Sequence, residues 1–181
     1  ICKIETSPSI YHLGYLLGPR INAGGRVGKC SHGANLLLNK DPKDTFKLAS
    51  ELDQYNKERQ ILERDLLEKI LLKTEEYKTD PVIILSGKNW HEGIIGIVAA
   101  RLKDKFNKPV IIISLQDNIG KASARSIVGF DIGSVILSAT QEKILIKGGG
   151  HKMAGGFSIK EENIEKLKNF VFRKFMNINE D

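Results

Sequence analysis

Ile146–Phe157 reads I-K-G-G-G-H-K-M-A-G-G-F, and the meaning given to these twelve residues decides how the rest of the chain is read. They hold five of the chain's 17 glycines, with His151 and Lys152 in their middle. Glycine runs can take φ > 0 and turn successive N–H groups inward as an anion-binding concavity, here around Gly149 and Gly150. A histidine at its lip can donate a hydrogen bond to a phosphate or move a proton. The same residues also suit a tight turn between two elements, with His151 satisfied by its neighbours. Taken alone, the stretch leaves both readings open.

Upstream, from Pro81 onward, the texture is α/β. Val82–Leu85 is an apolar run suited to a buried strand, and V-I-I-I-S after Pro109 is another. Gly93–Phe106 between them predicts a helix, and so a right-handed parallel crossover. Gly120–Ile127 is a third strand candidate. Alternation in K-A-S-A-R-S-I puts Lys121, Ser123 and Arg125 on one face, with Ser126 following. A hydroxyl and a guanidinium two apart suit an anionic oxygen, and a solvated strand face is the alternative. Asp131–Thr140 predicts a short helix. After the glycine stretch come a strand around Gly156–Ile159 and an amphipathic helix to about Met176.

Further upstream, Asp41 to about Lys78 predicts one long helix, with Pro42 in its first turn and no further breaker before Pro81. Leu48, Leu52, Tyr55, Leu62 and Leu66 mark one face, interrupted by Arg59. Such a helix spans roughly 55 Å, longer than a compact domain requires. It reads as a connector between two bodies, with a packed core helix or coiled-coil arm as the alternative. Residues 10–39 read as short helices around a polar turn, G-P-R-I-N-A-G-G-R-V-G. Arg20, Asn22 and Arg26 in that turn suit phosphate contacts or a solvated surface.

The chain of 181 residues carries 28 Lys and Arg against 22 Asp and Glu, a formal charge of +6. Residues 41–78 hold 8 basic and 10 acidic residues, so the excess lies elsewhere. That distribution suggests a polyanionic partner. Cys2 and Cys30 form neither a metal spacing nor a disulfide framework, which fits a reducing, cytoplasmic setting. No apolar run approaches a membrane span, so no membrane partner is expected. The opening I-C-K-I-E reads as the middle of a longer protein.

Several motifs fail on spacing. Asn89-Trp90-His91-Glu92 would need a histidine at position 95 for a zinc protease, and Ile95 stands there. Gly28-Lys29 and Gly120-Lys121 lack the upstream glycine and following hydroxyl of a P-loop. Met153 breaks a dinucleotide fingerprint. No cluster of Asp and His able to hold Mg²⁺ or Mn²⁺ is visible.

Together, G-P-R-I-N-A-G-G-R, the long helix, W-H-E-G-I-I-G-I-V-A-A-R-L, A-S-A-R-S-I, G-F-D-I and G-G-G-H-K-M-A-G-G resemble the carboxy-terminal half of RecJ-type single-stranded-DNA-specific exonucleases. The motifs run in order over about residues 15–160. Where that family commonly reads G-P-R-x-N-A-A-G-R, this chain has Gly24 for the second alanine. The resemblance implies a DHHA1-type mixed α/β sheet flanked by helices, preceded by a long connecting helix. It divides the chain into 1–40, the end of a DHH-side region; 41–78, the connecting helix; and 79–181, a nucleic-acid-binding DHHA1 domain.

The implied activity is 5′-to-3′ hydrolysis of single-stranded DNA in repair and recombination, with Mn²⁺ or Mg²⁺ held by a DHH domain outside this chain. A chain lacking that domain is expected to be inactive alone. The implied phosphate-binding residues are Arg20, Asn22, Arg26, Lys121, Ser123, Arg125, Ser126, Gly149, Gly150, His151 and Lys152. His151 would assist at the scissile phosphate, and Trp90 and His91 are further candidates. Single-stranded DNA is the implied partner, joined by a helicase or single-strand-binding protein. The rival reading is a DHHA1 module directed to RNA: an oligoribonucleotide or cyclic-dinucleotide phosphodiesterase, or a tRNA-binding accessory domain.

Overall fold

A computed structural model describes residues 1–178 other than Lys3, Thr6, Thr74 and Glu75. The chain forms two compact units, one from Ile1 to Asp65 and one beginning at Leu66.

In the first unit, a π-helical segment, His12–Leu17, runs into α1 (Gly18–Val27), followed by α2 (Ser31–Leu38) and the start of α3 (Pro42–Leu71). The segment expected to be a polar turn is therefore the helix α1. Pro19 sits at its start, where a missing N–H costs nothing. One of its glycines serves packing. A Cβ on buried Gly24 would lie 2.6 Å from the Lys29 carbonyl oxygen and 3.2 Å from a Leu52 methyl.

Helix α3 begins as expected, because Asp41 Oδ1 accepts from the N–H groups of Lys43 (2.9 Å) and Asp44 (3.0 Å). The Arg59 interruption is satisfied internally. Its guanidinium donates to Glu63 Oε2 at 2.6 Å and to Asn56 Oδ1 at 3.1 and 3.2 Å. The helix stops at Leu71, short of the expected Lys78. Buried Tyr77 folds back there, and its hydroxyl donates to the Ile70 carbonyl at 2.7 Å, satisfying one orphan acceptor of the last turn.

The second unit is a mixed five-stranded sheet in the order β1-β2-β3-β5-β4. Strands β1 (Ile83–Lys88) and β2 (Val110–Gln116) are parallel and joined by α4 (Glu92–Phe106). A two-residue turn, Asp117–Asn118, with φ of 49° and 62°, leads into antiparallel β3 (Ile119–Arg125). Helix α5 (Ile132–Gln141) follows, then the hairpin β4 (Lys147–His151) and β5 (Ala154–Lys160), and α6 (Ile164–Ile178) after a short 3₁₀ turn.

Period-two alternation gives the sheet two faces. One carries Ile111, Ile113, Ala122, Ala124, Phe157 and Ile159 into a core shared with Ile132 and Ile136 of α5 and Leu167, Phe170 and Val171 of α6. The other packs α4 over β2 and β3. The glycine stretch, expected to be a turn or a concavity, is a hairpin whose glycines all lie in the strands β4 and β5. None of its glycines has positive φ; among the described glycines only Gly129 does.

Candidate nucleic-acid interface

The five glycines of the hairpin divide by face. Gly148 and Gly155 face α5, and a Cβ on either would collide with Ile136, at 2.7 Å from its Cγ2 in the case of Gly148. A Cβ on Gly150 would meet the Ala154 carbonyl oxygen. These three let the helix and the two strands approach closely. Gly149 and Gly156 lie on the opposite face. A Cβ on Gly149 would meet nothing within 4 Å, and one on Gly156 only the Ala122 carbonyl oxygen at 3.4 Å. On the face that α4 leaves uncovered, β4 and β5 thus present backbone without side chains.

The register places the sequence-derived residues around this patch. Ser123, Gly156 and Gly149 lie side by side on β3, β5 and β4, and the neighbouring row is Arg125, Ala154 and His151. Lys121 leads the row on the other side. Arg125 Nη1 donates to Ser123 Oγ at 3.1 Å and to the Ala124 carbonyl at 2.8 Å, so the guanidinium and hydroxyl form one unit. Gly96, in the first turns of α4, makes room for both: a Cβ there would lie 2.9 Å from Ser123 Oγ and 3.1 Å from Arg125 Nη2. Sequence reasoning passed over Gly96, although an isolated glycine in a helical pattern is a signal of close approach. It also passed over Lys147 and Ser158, which share the row of Lys121.

His151 is exposed at the end of β4. Its Nδ1 accepts from the Met153 N–H at 3.4 Å, a weak bond that in the neutral ring puts the proton on Nε2. Lys152 sits in the hairpin turn, where its carbonyl accepts from the Ile132 N–H at 3.2 Å. Asp131 caps α5 by accepting from the Ser134 N–H at 3.0 Å. That bond, aided by the charge of Lys152 among weaker effects, holds its carboxyl below the usual value.

Three expected contributors are placed differently. Ser126 is 1 % exposed, and its hydroxyl donates to the Phe130 carbonyl at 2.6 Å, so it pins the β3–α5 loop and presents nothing to a ligand. His91 is the N-cap of α4, its Nδ1 accepting from the Gly93 N–H at 3.1 Å. Trp90 is half-buried, its indole lies against Gly87 of β1, and its carbonyl accepts from Ser114 Oγ. Both residues position the start of α4.

In the first unit, Arg20 donates to Asp53 Oδ1 at 2.7 Å and to the Leu16 carbonyl at 2.8 Å. Lys57 pairs with the same carboxylate at 2.9 Å. Lys57 first, and Arg20 with it, hold Asp53 below its usual pKa against the opposing effect of burial. Asn22 and Arg26, four residues apart, share an exposed face of α1, while Arg20 turns toward α3. Among the described residues, no three His, Cys, Asp or Glu side chains come together as a metal site, so these residues do not fit a metal ion. No helix among them is long and apolar enough to cross a membrane.

The DHHA1 domain family model matches residues 79–177. The single-stranded-DNA-specific exonuclease RecJ of Bacillus subtilis is 35% identical over 159 residues, which is 86% of this chain and 20% of that protein. Its counterpart in Haemophilus influenzae is 40% identical over 160 residues, 83% of this chain and 28% of that one. The crystal structure of RecJ in complex with Mn²⁺ from Thermus thermophilus superposes with a TM-score of 0.82 at 30% identity, over 92% of this chain and 24% of that one. The chain therefore spans about a fifth to just over a quarter of the length of these relatives.

Proposed function

Because this chain belongs to the DHHA1 domain family, we propose that it is the substrate-binding part of a 5′-to-3′ exonuclease acting on single-stranded DNA in repair and recombination. Residues 1–40 are then the end of a DHH-side region, 41–78 the connecting segment, helical as α3 over Pro42–Leu71, and 79–181 the nucleic-acid-binding domain. Mn²⁺ or Mg²⁺ belongs to a separate DHH domain. A cytoplasmic setting and delivery of the strand by a helicase or single-strand-binding protein complete the reading.

The observation that carries it is the uncovered sheet face. At its border with α4 the Arg125 guanidinium with the Ser123 hydroxyl lies on β3, and exposed His151 lies on β4, on either side of small Ala154 and next to bare Gly149 and Gly156. Donors fixed by strands and packed helices need no reorganisation when a phosphate arrives. A surface without side chains lets a sugar–phosphate backbone approach the main chain. Arg125 and Ser123 hold a phosphate, the 5′-terminal one on this reading, and His151 donates to an oxygen of the scissile group. Arg20, Asn22 and Arg26 are further phosphate-binding candidates within the first unit.

The test is equilibrium binding of a labelled DNA strand by the chain, against RNA of the same sequence and against a DNA duplex. Preference for the single DNA strand, with affinity falling as salt rises, supports the reading. Preference for RNA would replace it with an RNA-directed module.

A further inference from the structure

The uncovered face carries a repeat. One row reads Arg125, Ala154, His151 across β3, β5 and β4; four residues along the strands another reads Lys121, Ser158, Lys147; Ser123, Gly156 and Gly149 lie between. Both outer rows set a basic side chain on each flank and a small residue at the centre. Four residues of antiparallel strand separate them by roughly 13.6 Å, comparable to two extended sugar–phosphate repeats. The second row forms a shallow depression, lined by Lys121, Lys147, Gly156 and Ser158 among others.

We propose that Lys121, Ser158 and Lys147 form a second phosphate subsite, two nucleotide steps from the Arg125–His151 row, with the intervening phosphate passing over Gly156 and Gly149. This rests on the reading of the face given above. Glu92 Oε2 lies 2.7 Å from Lys121 Nζ and fixes that side chain at the rim. Lys147 has no carboxylate partner among the described residues and is the row's uncompensated charge. Ser158 Oγ supplies a neutral donor between the two. The basic path ends one row further on, where Lys160 is bound by Glu162 at 3.3 Å beside Glu161. The subsite therefore serves one additional phosphate.

The experiment titrates the chain with thymidine 5′-monophosphate, which has one phosphate, and with 5′-phosphorylated trithymidylate whose first linkage is a neutral methylphosphonate, which has two charged phosphates set two steps apart. Lys147→Gln and Lys160→Gln are compared with the parent. The parent binds the two-phosphate probe more tightly. Lys147→Gln loses that gain and keeps the mononucleotide affinity, whereas Lys160→Gln keeps both. On an oligothymidylate, Lys147→Gln makes the log–log salt slope shallower by about 0.7, the loss of one single-strand phosphate contact. A Lys147→Gln variant that keeps the full gain, or that weakens both probes equally, overturns the second subsite while leaving the first intact. Failure of the parent to bind either probe overturns the face as a phosphate site, the second row with it.

Discussion

Gly133 of α5 lies directly against the main chain of His151: a Cβ on it would sit 2.9 Å from both the carbonyl carbon and the oxygen of His151. The helix thus sets the height of the hairpin end that carries the histidine. Gly133→Ala should lift that end and cost about 1–3 kcal/mol, the usual penalty of overpacking. Gly149→Ala should be neutral or stabilising by up to ~1 kcal/mol, because its Cβ has open space. Yet it should weaken single-strand binding, since it roughens the bare row. Thermal melts and binding isotherms of the two variants check both halves. Unchanged binding by Gly149→Ala would remove the strand from this row.

Gly96→Ala offers the complementary test on α4. Alanine favours a helix over glycine by about 1 kcal/mol, so stability should hold. The new methyl would press on Ser123 Oγ and Arg125 Nη2 and displace the 3.1 Å bond between them. Binding of a 5′-phosphorylated strand should therefore fall while the melting temperature does not.

The two serines of A-S-A-R-S-I should part in opposite directions. Ser126→Ala leaves the buried Phe130 carbonyl without its donor and should cost about 1–3 kcal/mol of stability, with phosphate affinity unchanged. Ser123→Ala should leave stability close to the parent and weaken phosphate binding. Denaturation midpoints and titrations with a mononucleotide separate them.

Much of the second unit was legible because its strands and helices carry side-chain patterns. V-I-I-I-S could hardly be anything but a buried strand, and alternation correctly put Lys121, Ser123 and Arg125 on one face. The hairpin was not legible as a strand. Glycine has no side chain to alternate, and the partner that requires Gly148 and Gly155, Ile136, is remote in sequence until the chain folds. Helix α1 was missed for the same reason: Gly24 owes its place to Leu52, on another helix. The burial of Ser126 follows from the same alternation, which sets it with Ala122 and Ala124 on the core face; its hydroxyl argued for the other side, and the acceptor that satisfies it, the Phe130 carbonyl, comes from the loop beyond. Lys147 and Ser158 were reachable only through the β3–β5–β4 register.

The Asp131 cap gives a pH signature. Its folded-state carboxyl titrates below 3.8, the usual value, so its contribution to stability is fully present above that pH and is lost as pH falls through the lower folded value. Asp131→Ala should lower the melting temperature near neutrality, and the gap from the parent should close progressively in more acidic buffer. Melts across that range read the effect. A gap independent of pH would mean that the cap's charge contributes nothing.

The central claim is that the uncovered sheet face holds strand phosphates through Arg125. The most direct measurement is the dissociation constant of the chain for one DNA strand carrying either a 5′-phosphate or a 5′-hydroxyl, compared with Arg125→Ala. A charge-assisted bond to a terminal phosphate is worth roughly 1.5–3 kcal/mol. The account therefore predicts that the variant binds the phosphorylated strand about tenfold or more weakly and the hydroxyl strand with a smaller loss. Equal weakening of both ends would make Arg125 a general backbone clamp and remove the 5′-end assignment; parent-like affinity for both would contradict the claim itself.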